Sequence, residues 1–191
     1  MTDSVELLCH PTTVNPSVRT IHATVERSAA GILYLRFRLA GAVSRLRIPP
    51  PAPARMASRL WEHTCFEAFL SIDGEPAYHE LNFSPSSEWA AHAFRDYRDG
   101  GPIKDAALAP RIACLAGEDH LEVDCRLPLA ALSEAHVRAP LRLGLSAVVE
   151  ASDGALSYWA LAHAPGRPDF HRRETFRLVL EQKRGQSTFP D

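Results

Sequence analysis

The chain has no surplus of positive charge: 21 Lys and Arg stand against 23 Asp and Glu, a formal net charge of -2. Nucleic acids and anionic membranes are held by clustered basic side chains, so both are disfavoured as partners. No apolar run approaches the roughly 18 residues that cross a bilayer. Residues 1–14 carry Asp3 and Glu6 and lack both a basic start and an apolar stretch. They do not read as a secretory signal, and the expected location is the cytoplasm. Cysteine is sparse and scattered: Cys9, Cys65, Cys114 and Cys125 form no C-x-x-C pair. Free buried thiols are expected, not a zinc site or a disulfide framework. No G-x-S-x-G elbow is present to anchor Ser–His–Asp chemistry. Helical periodicity is weak as well, with one short helix expected near residues 128–137 and Pro128 in its first turn.

What the sequence does have is alternation. Leu33, Leu35, Phe37 and Leu39 alternate with Tyr34, Arg36 and Arg38; Leu121, Val123, Cys125 and Leu127 alternate with Glu122, Asp124 and Arg126. Leu141 to Glu150 repeats the rhythm, and Phe176, Leu178 and Leu180 close it. A period of two is the signature of half-buried strands. Many short strands between turn residues, in a chain of 191 residues that is 46% hydrophobic, predict one all-β domain. The expected fold is a two-sheet antiparallel β-sandwich with at most one or two short helices, over residues 1–181, followed by a frayed polar tail at 182–191. The Pro-Pro-Pro-Ala-Pro run at 49–53 is excluded from helix and central strand and reads as a rigid surface connection leading to Trp61.

The informative stretch is 60–89. Phe66, Ala68, Leu70 and Ile72 form one face of a strand; Cys65, Glu67, Phe69 and Ser71 form the other. Asp73-Gly74-Glu75-Pro76 is a turn. A four-residue loop sets Ile72 opposite Ala77, which places Glu67 opposite Asn82 and Phe69 opposite Glu80. A slip of one residue would turn the apolar face outward. Tyr78, Glu80, Asn82 and Glu67 therefore share one face, with Trp61 just before the strand, while His79 points inward. Carboxylates and an amide beside aromatic rings suit a sugar: the polar groups meet hydroxyls, and the rings cover the apolar face of a pyranose. The competing expectation is that Glu67 and Glu80 only solvate an outer sheet face. Further on, Leu156–Leu161 reads as an aromatic strand with Trp159 in the core. The loop 163–171 is punctuated by Pro165, Gly166 and Pro168 and carries His163, Phe170 and His171. His63 and His92 are expected in structural hydrogen bonds.

The strings LWEHTCFEAFL, YHELNFSPSSEWAAHAF and LSYWALAHAPGRPDFHRRETF resemble DOMON-like proteins, which are similar to type 9 carbohydrate-binding modules, over about residues 9–180. The resemblance implies a β-sandwich and non-catalytic sugar binding. In type 9 modules two aromatic rings sandwich a terminal sugar while a strand carboxylate binds its hydroxyls. By that resemblance Trp61 and Glu67 match the first aromatic and the carboxylate, Asn82 a polar ligand on the next strand, and Phe170 the second aromatic. Glu80 stands where those modules tend to carry Arg, and Val148 near where a polar side chain is expected. The expected ligand-binding set is Trp61, Glu67, Tyr78, Glu80, Asn82 and Phe170, its partner a mono- or oligosaccharide, with no cofactor. Related DOMON domains bind haem through Met and His, but only Met1 and Met56 are present here. Haem or metal binding, and a protein-interaction sandwich without a small ligand, remain the alternatives. Glu67 and Glu80 as a glycosidase-like carboxylate pair is a third.

Overall fold

The computed structural model describes residues 3–181; the expected tail at 182–191 lies outside them. Twelve strands run β1 (Asp3–Cys9), β2 (Val18–Arg27), β3 (Ile32–Gly41), β4 (Cys65–Ile72), β5 (Tyr78–Phe83), β6 (Trp89–Asp96), β7 (Asp99–Pro102), β8 (Arg111–Ala116), β9 (His120–Pro128), β10 (Leu141–Glu150), β11 (Leu156–Ala160) and β12 (Leu178–Leu180). They form a β-sandwich of two antiparallel sheets. One has the order β1-β2-β3-β9-β8, the other β7-β6-β5-β4-β10-β11 with β12 beside β10. β1 belongs to both. Its first residues pair with β2, and Leu8 and Cys9 pair with Ala160 and Trp159 of β11.

The alternation explains the layering. Leu33, Leu35, Phe37 and Leu39 of β3, Leu121, Val123, Cys125 and Leu127 of β9, and Leu141, Leu143, Leu145, Ala147 and Val149 of β10 all point into one core. Phe66, Ala68, Leu70, Leu81 and Phe83 meet them from β4 and β5, and Trp159 joins from β11. The β4–β5 register is the expected one, with Glu67 opposite Asn82 and Phe69 opposite Glu80. Gly74 takes φ +88° in the connecting turn, a conformation open to glycine at no steric cost.

Four expectations are corrected. The helix near 128–137 is two pieces, a 3-10 turn at Leu129–Ala131 and an α-helix, α1, at Glu134–Arg138. Ser133 breaks the run by acting as N-cap, its side chain accepting the His136 N–H. Phe176 lies outside the last strand, just after a 3-10 turn at Arg173–Thr175. It is buried against Phe69 and Tyr78, apart from the main core. Of the four free cysteines only Cys65 and Cys125 are buried; Cys114 is exposed, on the edge strand β8. Glu67 and Glu80 do not solvate an outer face: they are only 3% and 6% exposed, because the chain after β11 folds back over this side of the sheet. His79 does turn inward and meets His136 of α1 edge-on, with ring centroids 4.9 Å apart.

Candidate ligand-binding site

The site is built on the face of the second sheet that points away from the core. Strand pairing sorts that face into rows. His92 of β6 opposes Glu80 of β5, which opposes Phe69 of β4, which opposes Gly144 of β10. The next row runs Ala90, Asn82, Glu67, Ser146, Ala160. The row after that holds Cys65, Val148 and Tyr158. Glu67 and Glu80 are thus diagonal neighbours on adjacent strands, close enough for their charges to interact.

The segment after β11 packs onto this face through Phe176, which lies over Gly144. A Cβ at that glycine would come within 2.6 Å of the Phe176 ring, so the absence of a side chain is what admits the ring. Phe176 then contacts Phe69 and Tyr78 at ring distances of 5.5 and 5.7 Å. The same segment is tied to the β6–β7 turn through Asp169. Its carboxylate accepts hydrogen bonds from Arg98 Nη2 (3.0 Å), Tyr97 Oη (2.7 Å), Arg172 Nε (3.1 Å) and the His171 N–H (3.2 Å). Burial alone would raise the Asp169 pKa, but the hydrogen bonds from Tyr97 and Arg98 hold it below the usual value.

Trp61 arrives from the other side, on a 3-10 turn at Leu60–Glu62. The residues behind it fix the turn: His63 Nδ1 meets Glu150 Oε2 at 2.8 Å, and the Thr64 hydroxyl donates to the Arg47 carbonyl at 2.7 Å. His63 is therefore in the structural hydrogen bond expected of it. Trp61 stays 40% exposed, its ring edge-on to His92 at 6.0 Å.

These elements enclose a cavity of about 360 Å³ lined by Glu67 and Glu80 with Trp61, His92, Phe94, Tyr158 and Phe170 among the ring residues, and by Arg98, Asp169 and His171. That volume lies at the small end of small-molecule sites. Of the expected set, Trp61, Glu67, Glu80 and Phe170 line it together. Tyr78 and Asn82 do not: they are 1% and 0% exposed and stand behind its wall. Asn82 Nδ2 donates to Glu80 Oε1 at 2.8 Å. Tyr78 Oη accepts the Arg98 N–H at 3.1 Å and shares a hydrogen bond with His171 Nδ1 at 2.9 Å. Both act by holding cavity residues in place. His92 has no structural hydrogen bond at Nδ1 among the described residues; it lines the cavity instead.

The electrostatics are uneven. Burial, then the repulsion of Glu80, pushes the Glu67 carboxyl up to about 8 in spite of the hydrogen bond Ser146 donates to it at 3.0 Å. Burial and the nearby Arg98 push His171 down to about 4, so its ring is neutral at pH 7. Its Nε2 lies 3.6 Å from Glu80 Oε2, too far for a hydrogen bond. Sequence reasoning missed Tyr158, His92, Arg98, Asp169 and His171 as site residues. Tyr158 had a readable signal, since alternation places it opposite the core-facing Trp159. The Arg98–Asp169 pair, 71 residues apart, had none.

Among the described residues no three His, Cys, Asp or Glu side chains converge as a metal-binding group, and no helix is long and apolar enough to cross a membrane.

The fold is that of carbohydrate-binding modules of the type 9 kind. A structure of a putative carbohydrate-binding protein from Bacteroides uniformis ATCC 8492 matches with a TM-score of 0.63 and 14% identity, over 91% of this chain and 84% of that one. A family 9 carbohydrate-binding module from Caldicellulosiruptor kristjanssonii, solved with cellotriose, matches with a TM-score of 0.54 and 10% identity, over 86% of this chain and 75% of that one. At these identities the likeness is one of fold. Neither structure is described as a DOMON domain. No protein-family model and no curated protein matches the chain.

Proposed function

We propose that this protein is a non-catalytic carbohydrate-binding module that takes a mono- or oligosaccharide into the cavity between Trp61 and Phe170. The observation that carries the reading is a pair of buried carboxylates on the strands of the sheet floor, beneath an aromatic rim. Carboxylate oxygens accept paired hydrogen bonds from adjacent hydroxyls, and ring faces cover the apolar side of a sugar. Phe170 is seated against Tyr158 at 6.0 Å, on the β11 flank, and Trp61 against His92 on the β6 flank. The aromatic groups therefore flank the carboxylates of β4 and β5. Both structural neighbours are described as carbohydrate-binding, which supports the same reading.

The test is thermal unfolding of the purified protein against a panel of mono- and disaccharides, with Trp61→Ala and Glu67→Ala as controls. A ligand at ten times its Kd stabilises by about 1.4 kcal/mol, or about 3–6 °C for a domain of this size. A saturable shift lost in both variants is the expected result. No shift with any sugar, in a cooperatively folded sample, overturns it. Release of reducing sugar from a glycoside panel would overturn the non-catalytic part of the proposal.

A further inference from the structure

Arg98 lines the cavity with the two carboxylates and lowers the Glu67 pKa through space, but makes no hydrogen bond to either. Glu67 spends Oε2 on the Ser146 hydroxyl and Glu80 spends Oε1 on the Asn82 amide. The other oxygen of each, Glu67 Oε1 and Glu80 Oε2, accepts no hydrogen bond among the described residues, although the two residues are only 3% and 6% exposed and the Glu80 side chain 8%. Of the basic groups around them, the arginines are committed to Asp169 and His171 is uncharged at pH 7. Arg98 gives Nη2 to Asp169, as Arg172 gives its Nε. His171 is held neutral, and His92 leaves Nδ1 without a partner. Buried charge is ordinarily paired. Here no cation lies within hydrogen-bond reach of either carboxylate among the described residues. The remaining walls include the rings of Trp61, Tyr158 and Phe170, whose faces attract cations.

We infer that the preferred ligand is an amino sugar, a hexosamine whose protonated amine lies between Glu67 and Glu80. This rests on the carbohydrate reading above and narrows it. A neutral sugar brings no positive charge, so it leaves Glu67 held as the acid beside Glu80. An ammonium has three donors and a positive charge, so it satisfies both oxygens and removes the repulsion. A metal ion would need further ligands, and no third carboxylate, His or Cys converges with these two among the described residues. Bound ammonium favours the Glu67 carboxylate over its acid, so binding displaces a proton from Glu67.

Isothermal titration with D-glucosamine, D-glucose, N-acetyl-D-glucosamine and spermidine tests the inference. At pH 7 glucosamine is expected to bind at least about tenfold more tightly than glucose or the N-acetyl sugar, as when a charge-assisted hydrogen bond replaces a neutral one. Its heat should differ between buffers of unlike ionisation enthalpy, which reports the displaced proton. Glu67→Gln and Glu80→Gln, near-isosteric changes that remove charge from a buried site, should bring the glucosamine-to-glucose affinity ratio close to one. Glu75→Gln, in the exposed β4–β5 turn, should keep it. Neutral sugars binding as well as glucosamine would overturn the amino-sugar inference and leave the carbohydrate reading standing. Spermidine binding as tightly as glucosamine, with no response to glucose, would overturn both. Silence toward every sugar in folded protein would overturn the carbohydrate reading itself.

Discussion

Replacing Glu67 with Gln should stabilise this protein, increasingly so as the pH rises. In the folded state its carboxyl is pushed from an ordinary value of 4.5 up to about 8 by burial and by Glu80. A group whose folded pKa is raised contributes stability that is fully present below its unfolded value and lost as pH climbs through the folded one. The window is therefore pH 4.5 to about 8. Across it the wild-type protein forfeits about 1.4 kcal/mol for each step of one in pH, about 4 kcal/mol by pH 8. Gln carries no such penalty. Below about pH 8 the folded Glu67 is itself mainly the neutral acid, so its hydrogen bond from Ser146 is neutral in both proteins. The variant should thus be within about 1 kcal/mol of wild type at pH 5 and about 4 kcal/mol more stable at pH 8. Urea unfolding of both proteins from pH 5 to 8, followed by tryptophan fluorescence, reads this directly. The difference between the two curves cancels every titration they share. A difference that does not change with pH, or a variant less stable at pH 8, would refute the account of a desolvated, unpaired carboxylate.

Other consequences follow from the same contacts. Gly144→Ala places a methyl 2.6 Å from a ring that is 1% exposed; such overpacking costs about 1–3 kcal/mol, and sugar affinity should fall with it as the segment carrying Phe170 and His171 lifts. An unchanged melting temperature and unchanged affinity would show that Phe176 yields freely. Asp169→Ala removes the acceptor shared by Tyr97, Arg98, Arg172 and the His171 N–H; it should cost about 2 kcal/mol and open residues 163–172 to limited proteolysis, which cleavage mapping would detect. In the Glu67→Gln background, stability should drop as pH falls from 6.5 to 4. Burial holds His136 and His171 down at about 4 and lowers His79 and His163. Groups buried neutral lose their contribution as the unfolded chain protonates first, so a flat denaturation profile across that range would contradict their placement.

The sandwich was legible because burial forces alternation. In β3, β9 and β10 each inward position is apolar, and no other register keeps Leu33, Phe37 or Leu121 dry. The same constraint made half of the site legible: once Ile72 is set against Ala77, Glu67 and Asn82 must share a face. What alternation could not supply is how that face is covered. Phe69 and Tyr78 belong to it by parity, but their burial depends on Phe176, roughly a hundred residues away in sequence, and on a glycine whose missing side chain admits it. His92 was expected in a structural hydrogen bond and not in the cavity because β6 runs Trp-Ala-Ala-His-Ala-Phe, where small residues blur the contrast between faces. Asp169 could not be assigned a partner at all, since Arg98 sits in a turn with φ +53° and no local pattern points from one to the other.

The division of labour within the site follows from those distances. The floor is fixed by strand register, so moving Glu67 relative to Glu80 would require breaking the β4–β5 ladder that also aligns Phe66 with Phe83 and Ala68 with Leu81 in the core. The rim is held by a few side-chain anchors. His63 and Thr64 fasten the turn bearing Trp61, Asp169 fastens the segment bearing Phe170, and Phe176 seats that segment on the sheet. Such anchors can change without disturbing the core. Ligand charge preference is therefore tied to the stable part of the molecule, whereas ligand size and reach are set by the part that varies most cheaply. Substitutions at Trp61 or Phe170 should alter how much of a saccharide is held at little cost to folding. Substitutions at Glu67 or Glu80 should alter which charge is accepted and shift stability with pH at the same time. The coupling runs through one physical cause, the removal of two carboxyl groups from water with neutral hydrogen-bond donors but no cation in contact.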